Sequence, residues 1–168
     1  SMVNASCAAS TASSGAPSAS GQVALWNQSG TLVLRNANGT DSPALAFDSS
    51  VPVDLASCRS GNVVARVFPR FAGQALEYDF QVTKAPTTSG RACTLQVGTA
   101  SGLASGGVIT LQYLSGMTTV GTRFPSTSVT GNAGFSTSGE ILVTVTTETN
   151  ASFAEGAGVL QVFAKATA

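Results

Sequence analysis

The chain of 168 residues contains no histidine and few charged residues. The missing histidine excludes Ser-His-Asp and Cys-His catalysis, and it excludes metal sites with histidine ligands. Charged residues make up 10% of the chain, against about 25% in ordinary soluble domains. Eight basic and eight acidic residues cancel, which argues against a phosphate-binding surface. We therefore expect no nucleic-acid partner, no metal and no cofactor, and an enzyme is the least favoured class.

Long hydrophobic runs are also missing, so no membrane insertion is expected. The chain is nevertheless 43% hydrophobic, which separates it from intrinsically disordered sequences and allows it to form a core. Its solubility must depend on hydroxyl and amide side chains. That composition suits a protein that lies outside the cytosol or inside an assembly.

The first twenty residues differ in amino-acid composition from the rest. They consist almost entirely of Ser, Ala, Thr and Gly, with one proline and no aromatic residue. This composition predicts a flexible leader or hinge over residues 1–20, in which Ser1 and Met2 look like an expression-vector remnant. Residues 21–168 are expected to form a single domain.

From residue 22 onward, short apolar runs alternate with turns rich in Gly, Pro and Ser. This pattern predicts an all-β domain, either an antiparallel β-sandwich or a jelly-roll-like barrel of short strands. The predicted strands are 23–27, 31–36, 44–47, 51–55, 62–68, 76–84, 92–97, 108–114, 118–124, 126–130, 141–147 and 159–164.

The strand at 76–84 has the clearest alternation of apolar and polar residues. One set of side chains is expected to face the core and the other to face solvent or a partner. The inward set is Leu76, Tyr78, Phe80 and Val82, and the outward set is Glu77, Asp79, Gln81 and Thr83.

Three pairs of segments resemble each other in the same order along the chain. Residues 30–35 resemble 107–112, residues 60–67 resemble 138–145, and residues 76–85 resemble 160–166. The likeness is either the ordinary similarity of β-hairpins or a duplicated half of the sandwich. A duplication would place the copies in similar positions of the two sheets.

Glu77 and Asp79 form the one pair of carboxylates close together on a strand face, about 6.5–7 Å apart along it. That spacing overlaps the separation in inverting glycosidases, and two carboxylates can also contribute to a Ca²⁺ site. Catalytic carboxylates usually converge from separate elements, so a solvated sheet face is favoured over catalysis. Both residues stay candidates for ligand or interface contacts.

The three cysteines are too few for a four-cysteine zinc site. Cys58 and Cys93 are the candidate disulfide pair, because both lie at or beside strand ends inside the domain. The alternative is that they are free, partly buried thiols. Cys7 in the leader would then be left for an intermolecular bridge or would stay an unused thiol.

Two aromatic positions are further contact candidates. Trp26 is the sole tryptophan and is followed by Asn27 and Gln28. The three residues fit a sugar-binding platform loosely, and packing in the core is the default expectation for the tryptophan. Arg70 and Phe71 lie at a turn that fits either an exposed interface anchor or a buried corner.

Segments poor in apolar residues near 36–41, 99–107 and 130–139 predict exposed loop tips. The candidate tip residues are Asn38, Gly39, Thr40, Gly102, Gly131 and Asn132.

A hinge at 3–20 that leads into a low-charge β-domain, with a last strand at 159–164 near the chain end, resembles the protruding domain of small icosahedral RNA-virus capsid proteins. Hepeviruses, tombusviruses and nodaviruses have such domains, and the run Thr31–Thr40 is similar in character to a strand and turn of hepevirus protrusions. The resemblance implies a homodimer or homotrimer on the virion surface that binds a host-cell receptor or glycan.

Two other classes share this composition, and both would place the protein outside the cell or on a bacterial surface. One is a bacterial adhesin or pilus subunit, although the ending Lys165-Ala-Thr-Ala lacks the penultimate aromatic residue usual in such pilins. The other is a carbohydrate-binding module or lectin, although aromatic residues make up only 7% of this chain.

Overall fold

The computed structural model describes residues 23–28, 31–36, 41–43, 46–87, 89–150 and 153–166. These residues divide into two compact units, one made of the described residues up to 46 with residues 165–166, and the other made of the described residues within Phe47–Ala164. The described ranges contain strands and two short 3₁₀ helices, and no helix among them is long and apolar enough to cross a membrane. The predicted leader at 1–20 and Cys7 lie outside the described residues, and the single domain over 21–168 stays a prediction.

The first unit contains a three-stranded antiparallel sheet. Its strands follow the chain order, β1 (Val23–Gln28), β2 (Thr31–Asn36) and β3 (Asp41–Pro43). The predicted strands at 23–27 and 31–36 are confirmed. The sequence does not predict β3, because three residues are too few to show an alternation of apolar and polar positions. Trp26 pairs with Val33 through the backbone, and its side chain lies outside the described part.

The second unit is a β-sandwich of two antiparallel sheets packed against each other, as predicted from the sequence. Jelly-roll connectivity stays a prediction. One sheet has the order β10-β6-β12-β4, and β9 also pairs with β6. Its strands are β4 (Ala46–Asp54), β6 (Gly73–Lys84), β9 (Arg123–Pro125), β10 (Gly134–Phe135) and β12 (Ala157–Ala166).

The other sheet has four strands in the order β5-β11-β7-β8. These strands are β5 (Val63–Val67), β7 (Ala92–Thr99), β8 (Gly102–Gln112) and β11 (Ile141–Thr149). The 3₁₀ helices Leu55–Ser57 and Tyr113–Ser115 follow β4 and β8.

Alternating apolar residues of both sheets form the core between them, because successive side chains of a strand point to opposite faces. In β7, β11 and β12 the buried and half-buried positions alternate with this period. The largest fully buried side chains include Tyr78, Phe80, Leu95, Ile109, Leu111, Ile141 and Leu160.

The predicted inward set of β6 is right for Tyr78, Phe80 and Val82 and wrong for Leu76, which is only half-buried. Ala75 is buried in its place, so the alternation changes phase between residues 75 and 78. The partner strand of β6 changes over the same stretch. The start of β6 pairs with β10, whereas residues 79–81 pair with β9.

The glycine-rich segment near 99–107 is a second difference from the sequence prediction. Only its start is a turn, because β8 already begins at Gly102 and pairs there with Thr99 of β7. The small residues are needed where another segment approaches β8. A methyl group on Gly106 would overlap the carbonyl oxygen of Ser128, and the amide of Gly107 donates to that same oxygen at 2.9 Å.

Four other predicted strands differ from the structure. The strands predicted at 44–47 and 51–55 are parts of one strand, β4. Most of 118–124 is a turn, and 126–130 is irregular, although the amide of Thr127 still donates to the carbonyl of Val108 at 3.0 Å. The turn residues at 118–122 are Thr, Val and Gly, and β-branched residues do not by themselves distinguish a turn from a strand.

Two of the three pairs of similar segments lie side by side. β5 and β11 are antiparallel neighbours in the four-stranded sheet, and β6 and β12 are neighbours in the other sheet. The expectation that copies would occupy similar positions of the two sheets is therefore wrong for these strands. Duplication itself stays a prediction.

Tyr78 connects the two sheets through a buried hydroxyl. Its oxygen lies 3.0 Å from the carbonyl oxygen of Leu95 and 2.9 Å from that of Gly107, on β7 and β8. Burial raises the pKa of Tyr78 well above its ordinary value, so the hydroxyl keeps its proton and remains a donor.

We expect Tyr78→Phe to lower the free energy of unfolding by about 2 kcal/mol, because the substitution keeps the ring and removes the one buried donor that the two carbonyl oxygens share. Urea denaturation followed by circular dichroism measures the change. The matched control is Tyr113→Phe, because Tyr113 is only half-buried and its hydroxyl has no hydrogen bond to the described residues. Equal losses for the two variants would contradict the assigned role of Tyr78.

Candidate functional site

A pocket of about 330 Å³ opens on the outer face of the five-stranded sheet. Three strands build it. β6 contributes its outward carboxylates, β9 lies along one edge of β6, and β12 lies along the other. The lining side chains are Glu77, Asp79, Arg123, Pro125, Ser126 and Phe163.

The two carboxylates predicted from the sequence both line this pocket, but their environments differ. Glu77 is exposed and has no hydrogen bond or ion pair with any described residue. Asp79 was expected on a solvated face, and that expectation is wrong, because the residue is only 9% exposed. A side chain from β9 covers it.

That covering side chain is Arg123. Its Nη2 donates to Oδ2 of Asp79 and, at 3.2 Å, to Oε1 of Gln161 on β12. The guanidinium therefore reaches from one edge of β6 across Asp79 to the neighbouring strand. Arg123 remains about half exposed, so part of its donor capacity stays available to the pocket.

The second carboxylate oxygen of Asp79, Oδ1, is buried and has no hydrogen-bond partner among the described residues. Buried polar atoms are nearly always paired, because leaving one unpaired costs about 1–3 kcal/mol. Because this oxygen is buried, it lies beneath the pocket surface and offers no acceptor to a ligand in the pocket.

Arg123, Ser126 and Phe163 are pocket residues that the sequence reasoning missed. The alternation of apolar residues in β12 could have identified Phe163 as an outward residue. In β12 the buried positions are Gly158, Leu160, Val162 and Ala164, so the phenylalanine falls on the outward phase of the strand. Arg123 and Ser126 carried no such signal, because only the pairing of β9 with β6 brings them to Asp79.

The predicted disulfide partners, Cys58 and Cys93, are both buried in the core and are free thiols. Their side chains are hydrogen-bonded to each other. That hydrogen bond, burial and the nearby charge of Glu148 raise the pKa of the Cys93 thiol well above its ordinary value. The disulfide stays a prediction, for two residues that the structure places in contact.

The remaining contact candidates, Arg70 and Phe71, do not line this pocket. Arg70 is exposed in the turn between β5 and β6, in a left-handed conformation with φ of 61°. Phe71 is half-buried, and its ring meets that of Phe135 edge-on at 5.7 Å between centroids. Neighbouring Phe68 is 61% exposed, so the turn combines a packed aromatic ring with an exposed one.

Of the candidate loop tips, Gly102, Gly131 and Asn132 are exposed. The amide of Asn132 donates to the carbonyl of Leu103 at 3.0 Å, which ties the 131–132 turn to the start of β8. Asn38, Gly39 and Thr40 lie outside the described residues.

The polar groups of the pocket are partly engaged by the protein itself. Asp79 is held by Arg123, and the Ser126 hydroxyl accepts a hydrogen bond from the Tyr78 amide at 3.2 Å. Within the described ranges, no three Cys, Asp or Glu residues lie close enough to hold a metal ion. No protein-family model, curated protein or solved structure matches this chain.

Proposed function

We propose that this chain is a non-enzymatic structural and interaction domain on the surface of an assembly. In its most specific form, it is a protruding domain of a viral capsid that self-associates and attaches to a host receptor, which implies a place on the virion surface. The observation that carries the proposal is the contrast between the two outer faces of the β-sandwich.

The outer face of the four-stranded sheet is almost free of charge, and we call it the neutral face. Neither β7 nor β8 contains a charged residue. The one charged side chain that β5 contributes, Arg66, is neutralised by Glu140 at 2.7 Å. The neutral face consists of Thr94, Gln96, Val108, Thr110, Leu142 and Thr144.

A second copy of the same chain is the partner that such a face suits. Self-repulsion between identical copies comes from charge, and this surface carries almost none. Depletion of charge is also the compositional mark of the centre of a protein interface. The opposite face, in contrast, carries Glu77, Asp79 and Arg123 around the pocket, and it is the face that suits a ligand.

We expect the protein to form a dimer or trimer in sedimentation velocity and light scattering over a range of concentrations. Thr110→Lys should raise the dissociation constant at least tenfold, which is about 1.4 kcal/mol. In a symmetric interface each new lysine meets its copy or lies near it, so the added charges repel.

The matched control is Thr83→Lys, which adds the same charge at an exposed position on the opposite sheet and should leave the oligomer intact. A protein that stays monomeric at every concentration would overturn the proposed self-association. Equal dissociation by the two lysine variants would show that net charge, and not the neutral face, controls it.

A lectin or carbohydrate-binding module is the second candidate function, and the pocket is the observation that favours it. An aromatic ring beside two carboxylates and a guanidinium is a set that can both pack against and hydrogen-bond to a ligand. This candidate shares the ligand of the receptor-binding proposal and differs in needing no self-association.

A further inference from the structure

The pocket beside Asp79 offers donors and acceptors to the same ligand. The acceptor is the carboxylate of Glu77, which is exposed and which no described residue binds. The donors are the N–H groups of the Arg123 guanidinium that do not bind Asp79 or Gln161. A ligand that satisfies both kinds of group must carry groups that donate and accept, as hydroxyls do.

The apolar part of the lining adds a second requirement. The ring of Phe163 and the ring of Pro125 border the same pocket as the charged groups. Its volume of about 330 Å³ is near the lower end for small-molecule sites, so a single ring with one apolar face fits it. A hexose has such a shape, with hydroxyls at its rim and C–H groups on its face.

The charge of the lining decides between classes of sugar. Two carboxylates and one guanidinium leave one net negative charge, and the carboxylate without a partner, that of Glu77, is the exposed one. An acidic sugar would bring its own carboxylate against Glu77, whereas an amine would pair with Glu77 but leave the N–H donors of Arg123 without an acceptor. A neutral sugar avoids the repulsion and can engage both groups.

We propose that the pocket formed by Glu77, Asp79, Arg123 and Phe163 binds the neutral hexose ring of a glycan. A sugar hydroxyl donates to the carboxylate of Glu77, and a neighbouring hydroxyl accepts from Arg123. This inference rests on the proposed function, because it names the ligand class of the attachment step. It does not depend on self-association, because the pocket and the neutral face lie on opposite sides of the sandwich.

The test is an NMR titration of the full chain with the methyl glycosides of glucose, galactose, mannose and fucose. N-acetylneuraminic acid and propylamine serve as the acidic and the cationic probe. At least one neutral glycoside should shift the backbone resonances of residues 77–79, 123–126 and 163, and it should bind at least tenfold more tightly than either charged probe.

Glu77→Gln should weaken that binding about tenfold, because charge-assisted hydrogen bonds are roughly twice as strong as neutral ones. Glu77 is exposed, so this variant should fold normally. The matched control is Glu140→Gln, which removes a carboxylate paired with Arg66 away from the pocket and should leave the affinity unchanged.

Three results would overturn the inference. No neutral glycoside shifts the pocket resonances, a charged probe binds as tightly as the best glycoside, or Glu140→Gln weakens binding as much as Glu77→Gln. Repeating the titration on Thr110→Lys separates the two proposals. If the variant loses the oligomer but binds the sugar unchanged, the sugar-binding proposal holds without self-association. If the oligomer forms but no sugar binds, the self-association proposal holds and the sugar-binding proposal fails.

Discussion

Oxidation of Cys58 and Cys93 to a disulfide is expected to raise the free energy of unfolding by about 3–4 kcal/mol. The two thiols already contact each other in the core. Cys58 follows β4 of the five-stranded sheet, and Cys93 lies in β7 of the four-stranded sheet. The bridge would therefore tie the two sheets together and close a loop of about 35 residues in the unfolded chain.

The reaction needs an oxidant, and glutathione disulfide is suitable. The two thiols lose two protons and two electrons, one S–S bond forms between them, and glutathione disulfide is reduced to two glutathione thiols. The raised pKa of Cys93 leaves little thiolate in the folded protein, so oxidation should be slow in the native state and faster during refolding.

The measurement compares urea denaturation of the oxidised and the reduced protein in a Cys7→Ser background, in which only the core pair can react. Mass spectrometry confirms the loss of two hydrogens and the absence of dimers. Cys58→Ser, treated in the same way, should show no gain in stability. A core pair that stays reduced after refolding with oxidant, or an oxidised protein no more stable than the reduced one, would refute the expectation.

Gly158→Ala is expected to lower the free energy of unfolding by about 3 kcal/mol, at the upper end of the usual cost of overpacking. Gly158 is a buried position of β12 against which the ring of Phe80 packs. An added methyl group would overlap that ring and would lie 2.6 Å from the carbonyl oxygen of Gln81. Because the second neighbour is backbone, a side-chain rotation cannot remove the overlap.

Thermal and urea denaturation measure this loss, and Gly134→Ala is the matched control. A methyl group there would meet only the carbonyl oxygen of Gly73, at 3.9 Å, so the change should stay within about 0.5 kcal/mol. Adding Phe80→Leu to Gly158→Ala should recover part of the loss, because the ring atoms that overlap the methyl are gone. Similar losses at both glycines would contradict this packing.

The strands with strong alternation were predictable from the sequence. β6, β7, β11 and β12 begin within three residues of their predicted starts. Alternation is a local property, because each side chain's face depends only on its position along its own strand. The sequence predicts a loop where the first half of β8 lies. The small residues there allow residues 128–130 to approach β8 closely, and the sequence of one strand does not show such an approach.

The candidate site was predictable only in part. Glu77 and Asp79 were identified because they are neighbours on one strand, and their spacing follows from strand geometry alone. Their different environments were not predictable. Asp79 is buried because Arg123, 44 residues further along the chain, covers it, and that contact exists only after β9 has paired with β6.

The sequence by itself determined the β class, the scarcity of charge and the residues that point into the sandwich, since composition and alternation act within short segments. The tertiary structure decided which segments are neighbours. It brought Cys58 to Cys93, placed Arg123 over Asp79, and put the neutral face and the pocket on opposite sides of the sandwich. Strand order depends on how distant segments pack into one shared core, and no local pattern contains that information.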